Sequence, residues 1–297
     1  MNFKEELEER VKDIESILAE YMPESEGWQK NVIEAMNYSV TAGGKRLRPM
    51  LMQETYRLFG GKGKEIEPFM AAIEMIHTYS LVHDDLPAMD NDEYRRGKKT
   101  THVVYGEAIA ILAGDGLLNY AFETAFKAFD TAKDPKIIAR ALKVLAGKAG
   151  IYGMIGGQTA DIEAENLGNA VTEEHLLFIH EHKTAALIQA AMMTGAIIAG
   201  ASDSQIDVIE RAAYEIGIAF QVQDDILDII GDEKTLGKPV GSDEKNNKTT
   251  YVTLKGLEKA TDEQKKMSGH AIEMIESLGF ENSFLVELIK SLITRIK

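Results

Sequence analysis

Two groups of aspartates dominate the chemistry this sequence could do: Asp84-Asp85 with Asp90, and Asp224-Asp225 with Asp228. The second group lies in AAYEIGIAFQVQDDILDII, a segment apolar on nearly every helical face. Such a helix is buried. Asp224 and Asp228 are four apart and share a face. Ionised carboxylates there are strongly destabilising without counter-charge. A hard divalent cation supplies that charge and prefers oxygen ligands. The competing reading is a solvated acidic patch at a helix end, and the flanking Ile226, Leu227, Ile229 and Ile230 weigh against it. The first group follows AAIEMIHTYSLVH, again an apolar helix. Asp84 and Asp90 do not share a face of a straight helix. Pro87 predicts a local break that brings Asp90 round. An acidic helix C-terminus opposes the helix dipole, so a purely structural role is a weak reading.

Basic residues are informative because they run against the background. Lys and Arg total 33, Asp and Glu 48, and the formal charge is −15. That balance argues against nucleic acid and anionic membranes as partners. GGKRLRP places Lys45, Arg46 and Arg48 with two glycines at a helix start, a ready anion site. It lacks the spacing and the trailing Ser/Thr of a Walker loop. Arg95-Arg96 follows the first aspartate group and suits phosphate oxygens. His77 and His83 lie on the same helix, and a histidine on an apolar helix reads first as core. His83-Asp84 is similar to the metal dyad of HD-type phosphohydrolases, but no convincing set of their further ligands assembles here. There is no cysteine and no Gly-x-Ser-x-Gly. Electrostatic catalysis on diphosphates is the chemistry left, rather than covalent catalysis.

Helices must position these groups, since helical periodicity runs from end to end. The pattern predicts helices near 3–21, 27–40, 45–59, 66–83, 107–129, 135–150, 157–165, 172–199, 203–230, 262–278 and 282–296. Asp134-Pro135 reads as an N-cap before Pro at the first helical position. Ser202…Gln205 and Thr261…Gln264 fit capping boxes. Gly60-Gly61, Gly168, Gly200 and Gly231 mark helix ends. Thr249–Leu254 is the one strand-like run and fits a helical turn equally well. The loop over 232–248, rich in Gly and charge, is a candidate lid. No linker separates two halves, so residues 1–297 read as a single domain. The charged N-terminus is not a signal peptide, and no stretch is long enough to span a membrane. With no cysteine in the chain, a reducing, cytoplasmic setting is expected.

Taken together, GGKRLRPM, EMIHTYSLVHDDLPAMDNDEYRRGKKTTH, ILAGDGLL, GGQTADI, HKTAALI, FQVQDDILD and GKPVGSDEKNNKTTYV resemble the trans-isoprenyl diphosphate synthases from end to end and in that family's order. The likeness is greatest to the bacterial farnesyl diphosphate synthases, which share the spacing of DDLPAMD. The resemblance implies an all-α, isoprenoid-synthase helical bundle around one large central cavity, with the aspartate motifs on opposite walls, and a homodimer. It implies that Lys45, Arg48, His77 and Arg96 bind the diphosphate of isopentenyl diphosphate, against the bland reading of His77. Asp84, Asp90 and Asp224 would ligate Mg²⁺, three ions per site with Mn²⁺ able to substitute, with Asp85 and Asp228 supporting and Asp225 in the same metal-binding set. Arg95, Lys183, Lys238 and Lys248 would hold the allylic diphosphate, and Thr184 and Gln221 would line the reacting carbons. The implied reaction is ionisation, condensation and elimination, with the 232–248 loop and the Thr294–Lys297 tail excluding water. An aromatic residue at Tyr79, with Ser80 beside it, implies a pocket floor that stops growth at the fifteen-carbon product. Geranylgeranyl diphosphate synthesis is the alternative within the family. Terpene cyclisation and metal-dependent phosphohydrolysis are the alternatives outside it.

Overall fold

The computed structural model describes residues 2–167, 170–230 and 249–295. Lys238, Lys248, Gly168, Gly231 and the 232–248 loop lie outside them, as do the last two residues of the tail. The architecture is all-α: the described residues hold fourteen α-helices and one two-stranded ribbon. By internal contacts the chain divides into two compact units, residues 1–53 with 63–138, and residues 54–62 with 139–297. Two of the three divisions fall inside helices α3 (Leu47–Leu58) and α7 (Pro135–Ala149), and the third lies between Lys62 and Gly63 in the segment after α3.

The first unit is built on α4 (Glu67–Asp84), which is buried on every face except near its C-terminal end. It packs chiefly against α6 (Glu107–Phe126), with α1 (Phe3–Tyr21) and α2 (Lys30–Val40) beside it. A buried ion pair joins the GGKR loop to α4: Arg46 Nη1 donates to Glu74 Oε1 at 2.8 Å, and Nη2 to the Val40 carbonyl at 2.8 Å. Arg46 is therefore a structural anchor, while Lys45 stays exposed and Arg48 half-buried. Two features of this unit have no counterpart in the sequence reading. One is a hairpin pairing Tyr94–Arg95 with Lys98–Lys99, turned at Arg96-Gly97. The other is the short helix α5 (Thr101–Tyr105). The expected helix 107–129 ends as α at Phe126 and closes with a 3₁₀ turn, Lys127–Asp130.

The second unit is built on α11 (Asp203–Ile230), flanked by α10 (Ala186–Ile198), α13 (Leu257–Glu276) and α14 (Ser283–Thr294). α8 (Met154–Leu167) is longer than the expected 157–165. The expected helix 172–199 is instead α9 (Glu173–Ile179), a π turn at His180–Ala185, and α10. Asp134 caps α7 as expected, accepting from Lys136 N–H at 2.9 Å. Ser202 and Gln205 close their capping box. Thr261 does not cap: α13 begins at Leu257, and the Thr261 hydroxyl bonds back to the Leu257 carbonyl within the helix. The strand-like run is helical, as α12 (Tyr251–Lys255), because Thr250 and Thr253 form a capping box ahead of it. Ile229 and Ile230 are exposed, so the all-round burial expected for the aspartate helix stops at Asp228.

Candidate active site

In the first unit, the end of α4 and the residues after it make the turn that the Asp84–Asp90 spacing requires. Asp85 caps the helix, its N–H reaching the Leu81 carbonyl. The chain then doubles back until Asp90 N–H donates to the Asp84 carbonyl at 2.8 Å. The break expected near Pro87 is thus present, and it brings Asp90 back to Asp84. Asp84 is half-buried, Asp85 buried and Asp90 exposed. Asp85 is committed to the hairpin: Arg95 Nε and Nη2 both reach its Oδ1, at 2.7 and 2.6 Å. Burial raises the Asp85 carboxyl despite that pairing, and Asp92 and Asp90 push it the same way. At Arg95 burial opposes the charge, but Asp85, Asp92 and Asp84 outweigh it.

The cations gather on the same unit. His77 is pushed well below the usual imidazole range by burial and by Arg48, Arg96, Arg95 and Arg46. Like charges so close disfavour the protonated imidazole. Arg96 sits in the left-handed region (φ 54°) and donates through Nη1 to the Gly43 carbonyl. A Cβ on Gly44, itself at φ 140°, would lie 2.5 Å from that Nη1, so glycine there lets the guanidinium pack on the loop. Arg46 and Asn91 are the other non-glycine residues at positive φ among the described residues, and both belong to these segments. Backbone strain of this kind collects where function over-determines the geometry. His83 turns instead to α6, 3.1 Å from the Ile111 carbonyl and 3.8 Å from Asp115. Tyr79 is buried with its edge on the His83 ring, 5.8 Å between centroids. Ser80 Oγ bonds the His77 carbonyl.

The neutral state of His77 has a measurable consequence. Below about pH 6.5 the unfolded chain takes up a proton on this imidazole that the folded chain refuses. Stability is therefore lost as pH falls through that range, at up to about 1.4 kcal/mol per pH unit. Urea unfolding at pH 7.5 and 5.5 should show His77→Gln losing less stability than wild type over that interval. Equal losses would mean that His77 is charged in the fold.

In the second unit the π turn presents Lys183 and Thr184. A Cβ on Gly157 of α8 would overlap the Lys183 backbone nitrogen, so the two segments meet only because that residue is glycine. Lys183 Nζ reaches Asp161 at 2.5 Å. Thr184 Oγ1 donates to Gln221 Oε1 at 2.9 Å, and Gln221 Nε2 donates to Asp225 Oδ1 at 3.2 Å. Asp225 Oδ2 accepts the Tyr251 N–H at 2.7 Å, capping α12, with His180 Nε2 3.8 Å away. Asp161, His180, Lys183, Thr184, Gln221 and Asp225 line a cavity of about 100 Å³ that also takes in Thr249 and Thr250. Asp228 is buried, and Asp224 is half-exposed with Arg295 Nη2 at 2.8 Å. His180 is absent from the sequence reading, which touched Asp161 only within GGQTADI and Arg295 only within the Thr294–Lys297 tail. The pairing of Arg295 with Asp224, 71 residues away, left no local mark.

Among the described residues no three His, Cys, Asp or Glu side chains converge as a ready metal site. The cause is local, since Asp85, Asp225 and Asp224 are each turned to a protein donor. The donor sets nonetheless fit Mg²⁺: both clusters offer carboxylate oxygens alone, and protein cations stand where counter-charge is needed.

A family model described as Polyprenyl synthetase matches residues 29–279. The chain is 49% identical over 251 residues to the farnesyl diphosphate synthase of Geobacillus stearothermophilus, covering 84% of each protein. It is 44% identical over 277 residues to the geranylgeranyl diphosphate synthase of Cyanophora paradoxa, covering 93% of this chain and 90% of that one. Among solved structures, the Helicobacter pylori geranyltransferase complexed with magnesium and isoprenyl diphosphate superimposes with a TM-score of 0.84 at 32% identity, covering 99% of this chain and 97% of that one.

Proposed function

This chain belongs to the polyprenyl synthetase family, and from that membership we propose that it is a short-chain trans-prenyltransferase. It condenses isopentenyl diphosphate with dimethylallyl and then geranyl diphosphate, giving farnesyl diphosphate and releasing diphosphate. The observation that carries this reading is the 49% identity to a farnesyl diphosphate synthase over 84% of each protein, with Arg48, Arg96, Arg95 and Arg46 acting on His77. Arg46 is paired with Glu74 and Arg95 with Asp85, and Arg48 and Arg96 beside His77 suit a second diphosphate that does not need to ionise. A terpene cyclase or a phosphohydrolase needs no such site.

In this reading Lys45, Arg48, His77 and Arg96 hold the isopentenyl diphosphate. Arg95, Lys183, Lys238 and Lys248 hold the allylic one. Asp85 and Asp161 keep Arg95 and Lys183 pointed, and an incoming diphosphate competes for the same cations. Asp84, Asp90, Asp224 and Asp228 hold Mg²⁺, three ions per site, and Asp225 positions α12 and Gln221. Bound Mg²⁺ supplies counter-charge to the departing diphosphate, charge that develops only as the bond breaks. Thr184 and Gln221, linked to each other, turn fixed dipoles toward the allylic cation. Exclusion of water protects that cation until it is attacked. The isopentenyl double bond attacks it, and the proton lost afterwards passes to the released diphosphate.

The single-domain reading is supported by one family model over residues 29–279. Exposed Ile111 and Leu112 on α6, and Ile155 and Ile162 on α8, suit a homodimer. No helix of the described residues is long and apolar enough to cross a membrane. The cytoplasmic setting rests on the cysteine-free composition.

The test is turnover of radiolabelled isopentenyl diphosphate with dimethylallyl diphosphate and Mg²⁺, with products resolved by chain length. A fifteen-carbon product is expected. A twenty-carbon product would support the second reading, geranylgeranyl synthesis, which the Cyanophora paradoxa relative favours. Release of phosphate without incorporation of isopentenyl units would overturn both.

A further inference from the structure

Arg295 is the last residue described, and it lies on the second aspartate cluster. Its Nη2 donates to Asp224 Oδ1 at 2.8 Å and to the Phe220 carbonyl at 3.0 Å. Its guanidinium carbon lies 3.9 Å from the Phe220 ring centroid. The arginine side chain is 10% exposed and that of Asp224 37%. Its backbone is held as well. Gln223 Nε2 donates to the Arg295 carbonyl at 3.1 Å. Gln264 Nε2 bonds both Gln223 Oε1, at 2.6 Å, and the Ile293 carbonyl, at 3.3 Å. Both glutamines are buried. The end of α14 is therefore a fixed strut that presents one guanidinium to one carboxylate.

We infer that Arg295 is the resident counter-cation of Asp224: it neutralises this carboxylate while no divalent ion is bound, and an incoming ion must displace it. The contact sets a threshold. The cluster takes up metal readily only when a diphosphate contributes further negative charge, so metal and substrate arrive together. This inference rests on the reading of Asp224 as a Mg²⁺ ligand.

The test uses the full-length chain without diphosphate, with free Mn²⁺ counted by electron paramagnetic resonance. Arg295→Gln is expected to tighten Mn²⁺ binding by about tenfold, the equivalent of one charge-assisted hydrogen bond. The estimate is held to that figure because Asp224 is more than a third exposed and solvent screens the pair. Arg295→Lys, which keeps the charge, should stay near wild type. Asp224→Asn should weaken binding, and in that background Arg295→Gln should change nothing. If Asp224→Asn leaves Mn²⁺ binding unaltered, the assignment of Asp224 as a ligand fails. If Asp224→Asn weakens binding but Arg295→Gln shifts it less than twofold, or Arg295→Lys tightens it as much as Arg295→Gln, the counter-cation inference alone fails. Deletion of residues 295–297 provides the same test if Arg295→Gln does not fold.

Discussion

Asp224→Asn is expected to lower kcat by about a thousandfold with saturating Mg²⁺ and both substrates, at the upper end of what one well-placed electrostatic group supplies. The change keeps size and removes one charge. Its cost to folding should be small, because Asp224 is half-exposed on α11 and its partner Arg295 also holds the Phe220 carbonyl. Surface-screened pairs contribute up to about 1 kcal/mol. The loss should therefore appear in turnover and not in the melting temperature. That split separates an effect on catalysis from one on the fold. It also separates Asp224 from its neighbour Asp225, whose oxygens cap α12 and bind Gln221. A kcat within tenfold of wild type at unchanged stability would remove Asp224 from the metal site.

Tyr79→Ala is expected to shift the main product from fifteen carbons to twenty or more. Tyr79 is 5% exposed on α4, in the turn of helix before Asp84. Its hydroxyl has no hydrogen-bond partner among the described residues, and burial with the nearby Asp84 charge pushes the phenol up to about 12. A buried hydroxyl left unpaired is costly, so its position is better explained by what the ring blocks than by what the oxygen binds. Removing the ring should cost about 3 kcal/mol of stability as well, through the cavity left behind. Tyr79→Phe is the control. It keeps the ring, should keep the fifteen-carbon product, and should stabilise the fold by about 1 kcal/mol by discarding the unpaired group. Product chromatography after incubation with excess isopentenyl diphosphate reads both variants. An unchanged product from Tyr79→Ala would mean that another residue forms the floor.

Local chemistry was legible in proportion to how local its causes are. Asp84 and Asp90 could not share a straight helical face, and Pro87 marked the break; the Asp90 N–H to Asp84 carbonyl bond closes that turn. The caps at Asp134 and Ser202 were readable because cap and helix lie within three residues. Thr261 had the same spacing and misled, because α13 had already begun at Leu257. The Thr249–Leu254 run was ambiguous because six residues cannot separate the two periodicities, and its Thr250 cap settles it as helix. The π turn at His180–Ala185 left no mark in the pattern, since one extra residue per turn barely moves an apolar run.

By itself the sequence determined the helical class, both aspartate clusters and the cation-rich loop. All of these are properties of residue type and near-neighbour spacing. Only the tertiary structure decided how each charge is used. Of the GGKRLRP cations, Arg46 turns inward to Glu74, and Arg48 is among the guanidiniums that disfavour the charged form of His77. Of the paired aspartates, Asp85 and Asp225 serve Arg95 and Tyr251, while Asp224 is held by Arg295. The physical reason is that a charge's role depends on its partner and its burial, and both are set by segments as far apart as 71 residues, which spacing along the chain does not encode.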